Sequence, residues 1–124
     1  MDASLVVLIP ILLTIEGSNR AVVPPGDGGA AIGPLQIHKI YVDDVNTILG
    51  YNKYSYEDRN DRQKSIEMAK IYISHYTPKG IRGTLLDKLI VMGRIHNGGP
   101  KGYKKKSTLP YKKKIIKYYK ERRK

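Results

Sequence analysis

Residues 17–36 constrain the fold more than any other segment, because their glycines and prolines exclude a long helix or strand. Those residues are Pro24, Pro25, Gly26, Gly28, Gly29 and Gly33. An irregular segment of this length inside a compact domain is usually functional or disordered. Since an apolar helix precedes it and an apolar patch, residues 32–37, follows, both ends are anchored. This favours a binding loop, and a short β-hairpin inside it would be the only sheet.

The apolar opening of the chain predicts a buried helix. Its apolar side chains recur at helical spacing, namely Leu5, Ile9, Leu12 and Leu13. Glu16 falls on or beside the same face, and Gly17 is a suitable residue to end the helix. Because Pro10 disrupts hydrogen bonding deep inside a helix, we expect the regular part to begin close to it.

Four further helices are predicted from apolar side chains at helical spacing and from the stop signals that follow. Their patterned side chains fall within residues 41–49, 65–76, 85–97 and 111–118. Thr84 followed by Asp87 forms a capping-box pattern. Thr108 is expected to cap the last helix, with Pro110 in its first turn. With strands scarce and no repeat or linker, residues 1–124 are predicted to form a single, mainly α-helical domain.

Positive charge is concentrated at the carboxyl end of the chain. Lys and Arg number 23 against 11 Asp and Glu, for a net charge of +12. Residues 101–124, named here the basic segment, hold twelve of the basic residues and one acid, a net charge of +11. Such a surface attracts polyanions such as nucleic acid, anionic membranes or bacterial wall polymers. The simpler interpretation is a solvated helix face that keeps the protein soluble.

The sequence offers little to a metal or cofactor. It contains no Cys, so a disulfide framework and a thiolate metal site are excluded. Three His without close spacing give metal binding little support, and we predict no metal and no cofactor. The apolar opening has no basic region before it and no small-residue cleavage site after it, so no signal peptide is predicted. It is also too short to span a bilayer, so no transmembrane segment is expected.

Glu16 is the most informative single residue. Leu12, Leu13 and Ile15 are its neighbours along the predicted helix. An apolar setting disfavours an ionised carboxylate and raises its pKa, which suits a general acid near neutral pH. A carboxylate at a helix C-terminus is also electrostatically unfavourable, so its presence there needs a reason. The simpler alternative is a solvated Glu near a helix end.

Four short motifs occur in the order used by the lysozyme superfamily. They are Thr14-Ile15-Glu16-Gly17-Ser18, Gly33-Pro34-Leu35-Gln36-Ile37, Ile95-His96-Asn97-Gly98-Gly99-Pro100 and Leu109-Pro110-Tyr111. The likeness is to soluble lytic transglycosylases and phage muramidases, which share a Glu-Ser at a helix end, a Gly-x-x-Gln-Ile turn, an aromatic-Asn-Gly-Gly turn and a later Tyr. The chain therefore resembles a lysozyme-like α-helical domain over about residues 5–116, with the long loop forming part of a substrate cleft.

The resemblance implies cleavage of peptidoglycan between N-acetylmuramic acid and N-acetylglucosamine. Glu16 would protonate the glycosidic oxygen, and Tyr111 would place its hydroxyl near the Glu16 carboxylate. The other residues implied in substrate binding are Ser18, Gly33, Gln36, Ile37, His96, Asn97 and Gly98. The chain departs from the family at Gly17, where Ser is usual, and at His96, where Tyr or Trp is usual. The first change bears on a hydrogen bond to Glu16 and the second on stacking against a sugar, and an inactive descendant would carry the same changes.

A second carboxylate would distinguish a hydrolase from a lyase. A hydrolase normally needs one as base or nucleophile. A lytic transglycosylase uses one Glu as acid and then base, while the muramic acid 6-hydroxyl closes a 1,6-anhydro ring. Asp27 is the only candidate in the loop, and since Asp-Gly is a common turn pair we favour a turn-forming role for it. A lytic transglycosylase is therefore slightly favoured, with a muramidase that uses Asp27 as the alternative.

The expected partners are peptidoglycan and, through the basic segment, anionic wall polymers. We expect a monomer that is made in the cytoplasm and acts on the bacterial cell wall, in the periplasm or outside the cell. Delivery by a phage is one route to the wall, and phage lysis, virion entry, wall remodelling and antibacterial defence all stay open as roles. A nucleic-acid-binding module is disfavoured, because residues 1–100 are nearly neutral and Glu16 would be unexplained. A membrane-active protein built on the last helix could bind anionic lipid, but that helix has too few apolar residues for strong insertion.

Overall fold

A computed structural model describes residues 2–18 and 20–123, and over that range the protein is mainly α-helical. Its α-helices are α1 (Ala3–Gly17), α2 (Lys39–Leu49), α3 (Arg62–Tyr76), α4 (Leu85–Gly98) and α5 (Leu109–Arg122). Short 3-10 turns lie at Asp27–Gly29, Tyr56–Asn60, Gly102–Lys104 and Lys106–Thr108. The prediction of a mainly helical chain with few strands is confirmed.

The chain divides into two compact units. The first contains the residues up to Ile15 together with those from Ile73 onward, and the second is Glu16–Tyr72. The first unit therefore holds most of α1 with α4 and α5, whereas the second holds the Gly/Pro loop, α2 and most of α3. The assignment of residues 1–124 to a single domain stays a prediction.

Helix α1 is largely buried. Four of its side chains have no exposed surface, namely Leu5, Leu8, Ile11 and Leu12. The helix begins at Ala3 and contains Pro10, so the expectation that its regular part starts close to Pro10 is wrong. Pro10 cannot donate the hydrogen bond that would end at the carbonyl of Val6, and Val6 lies on the exposed side of the helix at 59%. Water can satisfy that carbonyl, while burial of the turns on either side keeps them helical.

Helix α4 begins with the predicted capping box. The Oγ1 atom of Thr84 accepts a hydrogen bond from the backbone N–H of Asp87 at 3.2 Å. In return, the backbone N–H of Thr84 donates to Oδ2 of Asp87 at 2.9 Å. This second bond is the main reason why the pKa of Asp87 is held below its usual value. The Thr-x-x-Asp pattern is therefore confirmed as the start of a helix.

Helices α4 and α5 approach closely at a glycine. A Cβ atom on Gly93 would collide with Ile115 and stand 3.7 Å from Cε2 of Tyr111. Ile115 and Tyr111 are both buried. Residue 93 must stay small for the two helices to pack as they do, because a filled core leaves no room for an added methyl group.

The start of α5 differs in one respect from its prediction. Thr108 stands at the N-cap position and Pro110 lies in the first turn, as expected, but the Thr108 side chain does not cap the helix. Its hydroxyl donates to the carbonyl of Gly102 at 2.6 Å and accepts from Nε of Arg94 at 2.7 Å. The backbone of Thr108, with φ −97° and ψ 3°, is not in the extended conformation that side-chain capping needs.

The Gly/Pro loop of the second unit is irregular, as predicted, and is held by backbone hydrogen bonds. Within the part of the chain that the structure describes, its only β-structure is two isolated antiparallel bridges, Gly26 with Ala31 and Ile32 with Ile37. The second bridge has two bonds, of 3.1 Å and 2.9 Å. The 3-10 turn Asp27–Gly29 lies between Gly26 and Ala31, the two residues of the first bridge. In the described residues, the short β-hairpin that the sequence allows is therefore present only as these two isolated residue pairs and not as β-strands.

None of the helices within the described ranges combines the length and the apolar character that crossing a lipid bilayer requires.

Candidate functional site

Glu16 lies in the last turn of α1, with its side chain half-buried. Gly17 was expected to end the helix, and it is the last helical residue. The left-handed turn that follows is made by Ser18, whose φ is 53° and whose side chain is exposed. The Glu16 side chain therefore projects at the point where an apolar helix gives way to the loop.

Gly17 is buried against the loop. A Cβ atom there would stand 2.6 Å from Cγ2 of Val23 and 3.5 Å from the carbonyl oxygen of Pro34. The first distance is too short for a real contact, so a Ser at this position would require Val23 to move. Gly17 thus allows both ends of the loop to approach the helix next to Glu16.

Tyr41, near the start of α2, is an electrostatic neighbour of Glu16. Its ring is 7% exposed and stacks on the ring of Tyr72 at a centroid distance of 3.8 Å. Burial raises the pKa of Tyr41 well above its usual value, and the negative charges of Tyr72 and Glu16 raise it further. The Glu16 carboxylate therefore acts on a tyrosine hydroxyl held out of water.

Sequence reasoning gave neither tyrosine a role at the site. The sequence predicts only that both lie within helices, at residues 41–49 and 65–76, and both are buried in the structure. The helical spacing that placed each of them in a helix was the available signal. It could not reveal that the two rings stack, because that contact joins α2 to α3 across a long stretch of chain.

Asp27 has the geometry of a turn residue. It begins the 3-10 turn Asp27–Gly29 with a left-handed φ of 49°, and its carbonyl accepts from the backbone N–H of Ala30 at 3.2 Å. Its carboxylate is 73% exposed and lies 3.1 Å from Nε2 of His38. The acid is therefore well solvated and already paired.

The side chain of Gln36 holds the Gly/Pro loop through hydrogen bonds to its backbone. Its φ of 51° is left-handed, and its side-chain amide donates to the carbonyls of Gly33 at 3.0 Å and Pro24 at 3.3 Å. The amide oxygen lies against Gly26, where any Cβ atom would meet it. Its neighbour Ile37 is buried and pairs its backbone with Ile32. The motif around Gln36 thus fixes the shape of the loop.

Arg59 is a buried cation that holds the same loop. Only 7% of the residue is exposed. Its Nη1 atom donates to the carbonyls of Ile37 at 3.1 Å and Ala30 at 3.3 Å, and its Nε atom donates to the carbonyl of Tyr56 at 2.8 Å. Sequence reasoning missed Arg59, because it stands among charged residues, 57–62, that are typical of a solvated surface.

The remaining candidates lie in the first unit. His96, near the end of α4, is buried at 8% exposure, which leaves little ring surface for a sugar to stack on. Asn97 is exposed, and Gly98 packs so closely on Thr108 that a Cβ atom would collide with its methyl group. Tyr111 is buried beside Gly93.

The structure thus groups the candidates by unit. The second unit contains Glu16, Ser18, Asp27, Gly33, Gln36 and Ile37, and the first contains His96, Asn97, Gly98 and Tyr111. In residues 2–18 and 20–123, no cluster of three or more His, Asp or Glu side chains is arranged to hold a metal ion.

Comparison of the chain with protein-family models, with curated proteins and with solved structures gives no match in any of the three. The lysozyme-like relationship therefore stays a prediction that rests on the four motifs.

Proposed function

We propose that this protein is a lysozyme-like enzyme that cleaves peptidoglycan between N-acetylmuramic acid and N-acetylglucosamine, with Glu16 as its general acid. The observation that carries the proposal is the setting of Glu16. Its side chain is half-buried at the end of an apolar helix and acts electrostatically on the buried hydroxyl of Tyr41. Partial removal of a carboxyl group from water favours its protonated form, which is the form that a general acid requires.

The bracing of the Gly/Pro loop supports this proposal. Gln36 and Arg59 together donate hydrogen bonds to four carbonyls within residues 24–37. A loop fixed in this way can hold a sugar chain with little loss of entropy on binding. In the proposed enzyme, Gln36 and Gly33 shape the wall of the sugar groove.

The position of Asp27 favours a lytic transglycosylase over a hydrolase. To act as nucleophile, this solvated carboxylate would have to leave His38 and reach the reacting carbon. To act as base, it would have to reach the attacking water instead. In the transglycosylase scheme Glu16 alone suffices. It donates a proton to the glycosidic oxygen as the bond from that oxygen to C1 of muramic acid breaks. It then takes the proton from the 6-hydroxyl, whose oxygen bonds to C1 and closes the 1,6-anhydro ring.

The basic segment would retain the enzyme on its substrate. Four of its lysines project from α5 as exposed side chains, namely Lys113, Lys114, Lys117 and Lys120. Teichoic polymers and the free carboxylates of wall peptides carry the opposite charge. Attraction between them raises the local concentration of enzyme at the wall without a specific docking geometry.

A turbidity assay on purified bacterial walls tests the catalytic proposal. We expect wild-type protein to clear the suspension and Glu16→Gln to fail, since an amide cannot supply the proton. Glu57→Gln is the matched control, because Glu57 is an exposed acid of the same unit. Equal clearing by Glu16→Gln and wild type would contradict the proposal.

Mass spectrometry of the released fragments separates the two chemistries. A 1,6-anhydromuramic end identifies a lytic transglycosylase, whereas a reducing end that has gained water identifies a muramidase.

A further inference from the structure

A cleft of about 370 Å³ opens at the start of α2. Its lining residues are Gly29, Ala30, His38, Lys39, Ile40 and Arg59. The first two belong to the Gly/Pro loop, and the next three form the N-terminal end of the helix. The cleft is thus bounded by a loop, a helix end and a buried cation, and sequence reasoning assigned no function to it.

Arg59 lines this cleft, and one of its three guanidinium nitrogens is still able to donate. Its Nε and Nη1 atoms are bonded to backbone carbonyls, but Nη2 donates to no residue in the described part of the chain. Among the described side chains, no nitrogen or oxygen atom is both sealed from solvent and without a partner. Nη2 is therefore not completely sealed from solvent, although Arg59 as a whole is 93% buried. An oxyanion in the cleft would give this nitrogen a charge-assisted partner.

The helix end that lines the cleft has no side-chain cap. His38 stands at the N-cap of α2, but its side chain makes no capping hydrogen bond, and its ring pairs with Asp27 instead. The first backbone N–H groups of an α-helix have no partner within the helix. Those of Lys39 and Ile40 donate to no residue that the structure describes. The helix dipole adds to their attraction for a negative charge.

The charged side chains around the cleft decide how much negative charge an anion bound there can carry. Arg59 and Lys39 are the cations, and the Lys39 ammonium lies 5.2 Å from the centre of the Tyr56 ring. The nearby acids are Asp27, bound to His38, and Asp43, which accepts a hydrogen bond from the Tyr56 hydroxyl at 2.8 Å. A carboxylate, which carries one negative charge, is repelled less by Asp27 and Asp43 than a doubly charged group would be.

We propose that this cleft binds a carboxylate group, held by Nη2 of Arg59, the Lys39 ammonium and the backbone N–H groups that begin α2. Identification of the natural ligand rests on the proposed function. In peptidoglycan, the free carboxylates belong to the peptide stems. Binding of a stem here would fasten a wall peptide to the same loop that borders Glu16.

Titration of ¹⁵N-labelled protein with acetate, followed by NMR, tests binding without any glycan cleavage. The amides of Ala30, Lys39 and Ile40 are expected to shift and saturate. Lys39→Gln should weaken acetate binding about two- to fivefold, as expected for loss of one exposed charge. Lys53→Gln is the matched control, because Lys53 lies over Tyr54 at 5.4 Å but does not line the cleft, and it should bind acetate like wild type.

A blocking variant avoids the loss of Arg59, which holds the loop. Ala30 has an ordinary helical backbone, with φ −81° and ψ −30°, and accepts a longer side chain. Ala30→Glu places a carboxylate at the cleft and should reduce acetate binding at least tenfold, whereas Ala30→Gln, of the same size, should reduce it less. Absence of saturation at these amides, or equal loss in the two variants, overturns the proposal.

Two further ligands distinguish the sources of the anion. A synthetic stem peptide should bind more tightly than the same peptide with its carboxylates amidated. Tighter binding of inorganic phosphate than of acetate, or equal binding of the two peptides, overturns the carboxylate assignment. Because these titrations break no glycan bond, their failure and a failure to clear bacterial walls are separate results.

Discussion

The backbone carbonyl of Arg59 occupies the space where residue 33 would carry a Cβ atom, and Gly33 itself has a left-handed φ of 83°. Two independent constraints therefore meet at one residue. The left-handed backbone disfavours any side chain, and the neighbouring carbonyl excludes even a methyl group. The same peptide unit anchors the next segment, because the Arg59 carbonyl also accepts a hydrogen bond from the hydroxyl of Ser65 at 2.7 Å.

Gly33→Ala is expected to destabilise the protein by about 2–5 kcal/mol, from left-handed strain and from overpacking against Arg59. Gly50→Ala is the matched control. Gly50 has the same φ of 83°, but nothing lies within 4 Å of an added Cβ atom. Gly50→Ala should therefore lower the free energy of unfolding by only about 1–2 kcal/mol. Urea unfolding of both variants measures the two losses in free energy of unfolding. Equal losses would show that the Arg59 carbonyl can move away from an added Cβ atom at little cost.

Stability should fall at alkaline pH because of Tyr41. Its pKa is raised well above the usual value, chiefly by burial. Above about pH 10 the unfolded chain loses this proton while the folded chain keeps it, so the unfolded state binds fewer protons and the free energy of unfolding decreases as pH rises. Tyr41→Phe should reduce this decrease by up to about 1.4 kcal/mol per pH unit. Urea unfolding between pH 8 and 11, a range of about three units around the ordinary tyrosine pKa, measures it; an unchanged slope would be inconsistent with a buried hydroxyl.

Neutralising Glu16 should lower the pKa of Tyr41, because the carboxylate opposes formation of a second negative charge nearby. Ultraviolet titration of tyrosinate absorbance in Glu16→Gln and wild type tests this. Glu57→Gln serves as the control, since Glu57 is not among the groups that act on Tyr41. Identical titration curves for Glu16→Gln and wild type would place the two groups too far apart for the proposed site.

Asp27→Asn should leave wall cleavage largely intact, at more than about a tenth of the wild-type rate. In the proposed lyase chemistry the carboxylate takes no part, and its contact with His38 is exposed and weak. The products should keep their 1,6-anhydro ends. A loss of activity as large as that in Glu16→Gln would instead assign Asp27 as the second carboxylate of a hydrolase.

The basic segment should govern the salt dependence of wall binding. Replacing Lys113, Lys114, Lys117 and Lys120 with Gln should weaken co-sedimentation with walls, most clearly at low salt. Screening lengths fall from about 30 Å at 0.01 M to about 8 Å at 0.15 M salt. A protein with four Lys→Gln changes in residues 1–100, at Lys53, Lys70, Lys79 and Lys88, controls for net charge. If both variants lose binding equally, the attraction belongs to the whole surface.

Local sequence patterns predicted the helix ends well where the deciding interaction spans a few residues. The capping box at Thr84 and Asp87 is formed as expected. Gly50 ends α2 with a left-handed backbone, and its N–H reaches the carbonyl of Asn46 at 2.9 Å. In both cases the partners are close in sequence, so propensity and geometry agree.

Local sequence patterns could not predict interactions between residues that are far apart in the chain. The prediction for Pro10 considered only the helical hydrogen bond that a proline removes. Burial of the turns around it nevertheless keeps α1 continuous. Arg59 looked like a surface charge because nothing in its own neighbourhood indicates that Ala30 and Ile37 present carbonyls to it. For the candidate site, Glu16 could be proposed from sequence, but its neighbour Tyr41 could not, since their proximity depends on tertiary packing.

The close approach of Gly17 to Val23 has a consequence for related chains. A homologue that carries Ser at the position of Gly17 needs extra volume there, and the side chain facing it is the nearest source. Such a homologue should therefore have a smaller residue, Ala or Gly, in place of Val23. The two positions are expected to vary together, as a pair, while Glu16 beside them stays the same.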